Sequence, residues 1–142
     1  MKENIDIFTP LNDESIEIPL SEERVAAGFP SPAEDYVSLK LDLNKELIKS
    51  PASTFYARVS GLSMIDEGIN DGDLLVIDKS LEPKDGSLTV CYIDGEFTLK
   101  RFEKHQNYAM LIPANKNFTP IRVTAENDFM VWGVVTYIIK RV

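Results

Sequence analysis

The stretch SLTVCYIDGEFTLKRF, Ser87 to Phe102, places two short apolar runs on either side of Asp94-Gly95. An Asp-Gly pair between two such runs is the strongest short-range signal of a β-hairpin, usually with a type I′ turn. If Asp94-Gly95 is the two-residue loop, Ile93 faces Glu96, and counting back pairs Thr89 with Lys100. Side chains alternate across a strand. Glu96, Thr98, Lys100 and Phe102 therefore share one face, and Phe97 and Leu99 the other. Arg101 follows Lys100 and points away from it. Lys100 lies on the mixed face, beside a phenylalanine and opposite a threonine, where it can be partly desolvated. Desolvation disfavours the ammonium form and so favours the neutral amine, which a lysine acting as a base requires. A solvent-facing strand lysine satisfies the same periodicity.

Outward from the hairpin the pattern stays β. Thr54 to Ser60 alternates, with Phe55, Ala57 and Val59 on one side. Asp73 to Asp78 is a short apolar run bounded by turn residues, and Tyr108–Ile112, Ile121–Thr124 and Phe129–Ile139 read as further strands. Short, closely spaced strands predict a mostly β fold, a curved antiparallel sheet with a small helix in front of it. That helix is expected over Leu43 to Lys49, capped by Asp42 and stopped by Pro51. Phe29-Pro30-Ser31-Pro32 is too proline-rich for regular structure. Residues 1–27 carry seven acidic and two basic side chains and few apolar ones, and read as an extended arm with little core of its own.

The 142 residues carry a net charge of −8, which argues against direct duplex binding, since that needs a cationic surface. Apolar residues at 44% and charged residues at 27% are ordinary globular values. No run approaches the ~18 apolar residues of a membrane span, and Met1 to Pro10 lacks the apolar core of a secretory signal. One cysteine, Cys91, and one histidine, His105, exclude an internal disulfide and a Cys/His zinc site, and an intracellular setting is the default. Asp66, Asp71 and Asp73 lack the spacing of a calcium loop. Cys91 is expected to be a small buried apolar side chain, with Trp132 and Tyr137 in the core or at dimer contacts.

Ser60-Gly61-Leu62-Ser63-Met64 follows directly on a predicted strand, and Asp66 to Gly72 after it reads as a loop. A serine just past a strand end, next to a glycine, can expose its hydroxyl with backbone N–H groups nearby to stabilise an oxyanion. A turn serine satisfying its own backbone has the same local sequence. A nucleophilic serine needs a base. His105 sits in the polar run Glu103 to Asn107, which reads as a turn. Lys100 is the alternative that the hairpin provides.

Several stretches resemble the LexA-like self-cleaving serine peptidases, and in particular their polymerase-accessory branch. These are Ala27-Gly28-Phe29-Pro30-Ser31-Pro32-Ala33 with Asp35-Tyr36-Val37, then Asp42-Leu43-Asn44, then Ser60 to Asp66 and Asp71 to Leu75. Asp94 to Lys100 and Gly133-Val134-Val135 follow in family order, so that the resemblance covers roughly 25 to 142. It implies the LexA-like peptidase fold, with Ser63 as nucleophile and Lys100 as general base. It further implies a scissile bond at Ala27–Gly28, an arm 1–27 that is removed, and a peptidase domain 28–142. No cofactor or metal is implied. The family is cytoplasmic and homodimeric, and cleaves when bound to a RecA–single-stranded DNA filament in the SOS response. The shortened form then joins a UmuC-like Y-family polymerase in translesion synthesis.

The segment Val25-Ala26-Ala27-Gly28 suits such a bond physically. Two small side chains let an arm lie deep in a groove, and Gly28 permits a bend and leaves the Ala27 carbonyl uncrowded. Two other readings share the fold, a repressor fragment and a non-catalytic binding module. The LexA-type repressors carry a helix-turn-helix domain before the bond, where this chain has only 27 residues, net acidic. The presence of both Ser63 and Lys100 argues against the binding module.

Overall fold

The computed structural model describes residues 4–10, 17–21, 37–61 and 64–142. Its strands are β1 (Asn4–Phe8), β2 (Glu17–Ser21), β3 (Val37–Asp42), β4 (Thr54–Ser60), β5 (Leu74–Asp78), β6 (Leu88–Ile93), β7 (Glu96–Lys104), β8 (Ala109–Ile112), β9 (Ile121–Val123) and β10 (Phe129–Ile139). The single α-helix among these residues is α1 (Leu43–Leu47). By contacts the chain forms two compact units, one of residues 1–10 with 50–142 and one of residues 11–49.

In the larger unit eight strands form one sheet in the order β1-β4-β5-β10-β6-β7-β8-β9, every neighbouring pair antiparallel. The hairpin β6–β7 has the expected register, with Ile93 opposite Glu96 and Thr89 opposite Lys100. Its turn has φ 46° at Asp94 and 88° at Gly95, the two positive values that a type I′ turn requires. The longest strand, β10, lies between β5 and β6. Its register shifts between Val131 and Gly133 against β6, and between Val135 and Tyr137 against β5. Such bulges bend a strand and increase its twist, which curls the sheet.

The core lies on both faces of the sheet. Ala57, Val59, Met64, Ile69, Leu75, Ile77, Leu88, Val90 and Leu99 form one cluster, with Phe97, Trp132 and Val135 packed against it. The Trp132 ring meets Phe55 and Phe97 at centroid distances of 5.0 and 5.7 Å. Cys91, Phe102, Ala109, Leu111 and Val123 form a second cluster. Tyr137 is exposed rather than in the core.

The smaller unit pairs β2 with β3, from Glu17 opposite Asp42 to Ser21 opposite Val37. Pro19 is tolerated in β2 because a two-stranded sheet consists of edges. The Asp42 side chain accepts a hydrogen bond from the Asn44 N–H at 3.0 Å, the expected cap of α1. The helix ends at Leu47, two residues earlier than expected, and buries none of its residues. With no buried face to extend it, one turn is what the cap alone sustains.

Parts of the acidic arm are more than an extended chain. β1 pairs along β4 from Asn4 opposite Ser60 to Phe8 opposite Tyr56, and Ile5 and Ile7 pack against the first core cluster. Phe29 to Pro32 lie outside the described residues. Among the described residues no helix is long and apolar enough to cross a membrane.

At the end of β5 one carboxylate oxygen, Asp78 Oδ1, accepts from Ser53 Oγ at 2.8 Å, Ser80 N at 2.8 Å and Ser80 Oγ at 2.6 Å. Burial disfavours the charged form, but the Ser80 and Ser53 hydrogen bonds outweigh it and hold the carboxyl below its ordinary value. A carboxyl whose pKa is lower in the folded state stabilises the fold above its unfolded value, and that contribution is lost as pH falls through the folded one. Asp78→Ala is expected to cost about 1–3 kcal/mol at pH 7, the range for losing hydrogen bonds to a charged group. Denaturant titrations of parent and variant should show this gap at pH 7 and a smaller one near pH 3. A gap that stays the same at both values would contradict the assignment.

Candidate active site

The elements that hold Lys100 were legible in the hairpin. Lys100 sits in the middle of β7 and is 4% exposed. Its Nζ donates to Thr98 Oγ1 at 2.7 Å and to the Leu99 carbonyl at 3.1 Å. Thr98 precedes Lys100 by two residues, so strand alternation puts both on one face. From β6 the Thr89 hydroxyl donates to the Lys100 carbonyl at 3.0 Å, which ties down the backbone beneath the amine. The face thus combines buried Cys91 and Phe102 with a polar end at Glu96 and Thr98. It opens on a cleft of about 400 Å³ lined by Ile93, Asp94, Glu96, Thr98, Lys100, Phe118, Thr119 and Ile121.

Arg101 points the other way, as expected. Its Nε donates to Glu67 Oε1 at 2.7 Å and its guanidinium reaches the Gly86 carbonyl at 3.0 Å. His105 lies in a different cleft with Glu67, Asp85 and Arg101. Its ring stacks on Tyr108 at 4.5 Å, and its Nε2 is 2.5 Å from Glu103 Oε1.

Cys91, a potential nucleophile on the same sheet face as Lys100, is fully buried. Burial pushes its thiol up to about 11, only partly offset by the Thr89 hydrogen bond and the nearby Lys100 charge. A thiol that stays protonated at neutral pH is inert.

Leu62 and Ser63 lie outside the described residues, as do Ala27 and Gly28. The residues flanking Leu62-Ser63 are held firmly. β4 ends at Ser60 and the chain turns at Gly61, where φ is 108°, a value that favours glycine. The Gly61 N–H donates to Asp71 Oδ1 at 3.2 Å. On the other side Met64 is buried, and its Sδ accepts the Ala114 N–H at 3.3 Å. The Ala114 carbonyl in turn accepts the Asp66 N–H at 2.6 Å. A single residue after β8 therefore clasps the segment following Ser63 through both its N–H and its carbonyl. Met64 and Leu99, the sequence neighbours of Ser63 and Lys100, belong to the same core cluster.

Three contributors to this arrangement were missed in the sequence. Thr98 had a signal, its position two residues before Lys100 on the same strand face. Ala114 had none, because its contact with Met64 spans 50 residues and uses backbone atoms. Asp71 read only as a turn residue. Among the described residues, no group of three or more His, Cys, Asp or Glu side chains comes together as a metal site would need.

The sequence model of one family, Peptidase S24-like, matches residues 19–136. Protein ImpA of Escherichia coli is 42% identical over 132 residues, covering 93% of this chain and 90% of its own. Protein MucA of Salmonella typhimurium is 40% identical over 135 residues, covering 94% and 92%. Protein SamA of Salmonella typhimurium strain LT2 is 42% identical over 123 residues, covering 87% and 85%.

Proposed function

The chain belongs to the peptidase S24-like family, and from that premise we propose that it is a UmuD-like serine peptidase that cuts its own Ala27–Gly28 bond. The observation that carries the reading is Lys100. A buried strand lysine, with its amine fixed by Thr98 and the Leu99 carbonyl at the floor of a cleft, is built as a base rather than as a surface charge.

In the proposed chemistry Lys100 works in its neutral form. A neutral amine has two N–H bonds and one lone pair. With its hydrogens directed at Thr98 Oγ1 and the Leu99 carbonyl, the lone pair is aimed away from both. It takes the proton of Ser63 Oγ as that oxygen attacks the carbonyl carbon of Ala27. Backbone N–H groups at the turn after β4 stabilise the oxyanion. Collapse of the tetrahedral adduct breaks the Ala27–Gly28 C–N bond, and the Lys100 ammonium returns the proton to the Gly28 amine. Water then attacks the Ala27–Ser63 ester, giving a proton to Lys100, which passes it to Ser63 Oγ as the ester C–O bond breaks and the Ala27 carboxyl is released. The clasp of Ala114 on Met64 and Asp66 supports this by holding the nucleophile's segment still, so that less freedom is lost at the moment of reaction.

The same reading places the protein in the cytoplasm as a homodimer. A RecA–single-stranded DNA filament promotes cutting by favouring a docked arm, a shift of population rather than new chemistry. Residues 28–142 then serve a UmuC-like Y-family polymerase in error-prone synthesis during the SOS response. The test is mass spectrometry of the purified chain, with and without a RecA–ATP–single-stranded DNA filament. A product beginning at Gly28 is expected, accumulating faster with the filament. Gly28→Val should remain uncut, since a β-branched side chain hinders both the bend and the attack. A product with any other N-terminus would overturn the bond assignment.

A further inference from the structure

We propose that fragment 1–27 stays bound to residues 28–142 after the Ala27–Gly28 bond is cut, held at both of its strands. The inference rests on the cleavage reading above for the bond, and on the strand topology for everything else.

Among the described residues the fragment contains the strands β1 and β2. β1 pairs with β4, five residues against five, from Asn4↔Ser60 to Phe8↔Tyr56. β2 pairs with β3, from Glu17↔Asp42 to Ser21↔Val37. Both partner strands lie beyond residue 28. The bond lies in the connection between β2 and β3, residues 22–36. Cutting there breaks the chain between two antiparallel strands and removes none of the inter-strand hydrogen bonds of either pairing. β1 adds apolar anchorage, because Ile5 and Ile7 pack against the cluster that contains Ala57 and Val59.

The β2–β3 pairing alone is weak, as isolated two-stranded pairs are marginal in water, and β1 is a five-residue edge strand of the eight-stranded sheet, paired on one side only. The two pairings are joined through residues 9–16, so formation of one holds the other strand at an effective concentration of roughly millimolar order. Release requires both to open together. Charge works against retention. Residues 1–27 have seven acidic and two basic side chains, and the rest of the chain is also net acidic. Pairing and apolar contact must therefore carry the binding, and added salt, which screens like-charge repulsion, should not release the fragment.

Retention would also decide what β4 presents. While the fragment is bound, the strand leading into Ser60-Gly61 is interior to the sheet. When it leaves, β4 becomes an edge with a row of open backbone groups. The cut and the exposure of that edge are then two events rather than one.

The experiment separates this proposal from the cleavage reading by making the nick externally. The recognition sequence of a site-specific endoprotease is inserted between Ala27 and Gly28 of the full chain carrying Ser63→Ala, and the protein is nicked with that enzyme. Size-exclusion chromatography at micromolar concentration, with mass spectrometry of each fraction, is expected to find fragment 1–27 co-eluting with the body. Denaturant should separate them, and high salt should not. With Ile5→Asp and Ile7→Asp added, the fragment should leave at least tenfold faster. Amide exchange across Tyr56–Ser60 should stay within about threefold of the un-nicked chain as long as the fragment remains, a readout that does not depend on the variant's folding. Elution of the fragment apart from the nicked parent, equal retention in the double variant, or a tenfold rise in exchange at β4 on nicking would each overturn the proposal. None of these outcomes depends on whether the chain cuts itself.

Discussion

Lys100→Ala is expected to reduce self-cleavage by at least about 10³-fold, and Ser63→Ala to do the same, because nucleophile and base act as a unit and losing either costs nearly as much as losing both. The argument is geometric. The Lys100 amine is held by Thr98 Oγ1 at 2.7 Å and the Leu99 carbonyl at 3.1 Å, and an alanine removes the group that the proposed mechanism uses to take the serine proton. Stability should change far less. The truncation leaves Thr98 able to turn toward the cleft, where water can reach its hydroxyl. Lys100→Met keeps most of the volume and serves as a check on packing. The measurement is a cleavage time course under the RecA filament with Tm recorded for each variant. Parental cleavage in Ser63→Ala, with Lys100 intact, would falsify the dyad. Parental cleavage in a folded Lys100→Met would remove the lysine as base.

The largest effect on folding is expected at Gly133. This glycine is buried in β10, next to the bulge that follows Val131. A Cβ added there would overlap Ile77 Cγ2 and come within 3.6 Å of the Asp78 carbonyl. Ile77 is fully buried and β-branched, so its side chain has little freedom to move aside. Overpacking of this kind costs about 1–3 kcal/mol, and more where nothing can shift. Gly133→Ala is expected at the upper end of that range, lowering Tm by roughly 10 °C for a chain of this size, and Gly133→Val to leave little folded protein. Thermal melts settle it. A Gly133→Ala melt within a degree or two of the parent would mean that β10 and β5 can separate at this point without penalty.

Much of the larger sheet was legible because its signals are local. Asp94-Gly95 set the turn, the turn set the register, and the register put Lys100 beside Thr98 and opposite Thr89. β4, β5, β6 and β10 were found within a residue of their ends because each is an apolar run between turn residues. The arm's strands were not anticipated. Ile5 and Ile7 alternate over only five residues, within a segment whose acidic composition argues for solvent. What makes β1 a strand is the open edge of β4, more than forty residues away. The same limit hid the Ala114 clasp, a backbone contact that no side-chain pattern announces. It did not hide the Asp42 cap, which acts two residues from itself. Ser63, Ala27 and Gly28 rest on the family resemblance, since they lie outside the described residues.

β10 has a consequence for when the protein can act. It is synthesised after all its neighbours, yet it sits in the middle of the sheet, between β5 and β6. Until it emerges from the ribosome, β4 and β5, which flank the serine segment in sequence, have no strand connection to β6 and β7, the hairpin that carries Lys100 on β7. On the proposed reading, a nascent chain therefore keeps the strand before Ser63 and the strand that carries Lys100 unjoined until β10 is made, so that cutting is held back during synthesis until the sheet closes.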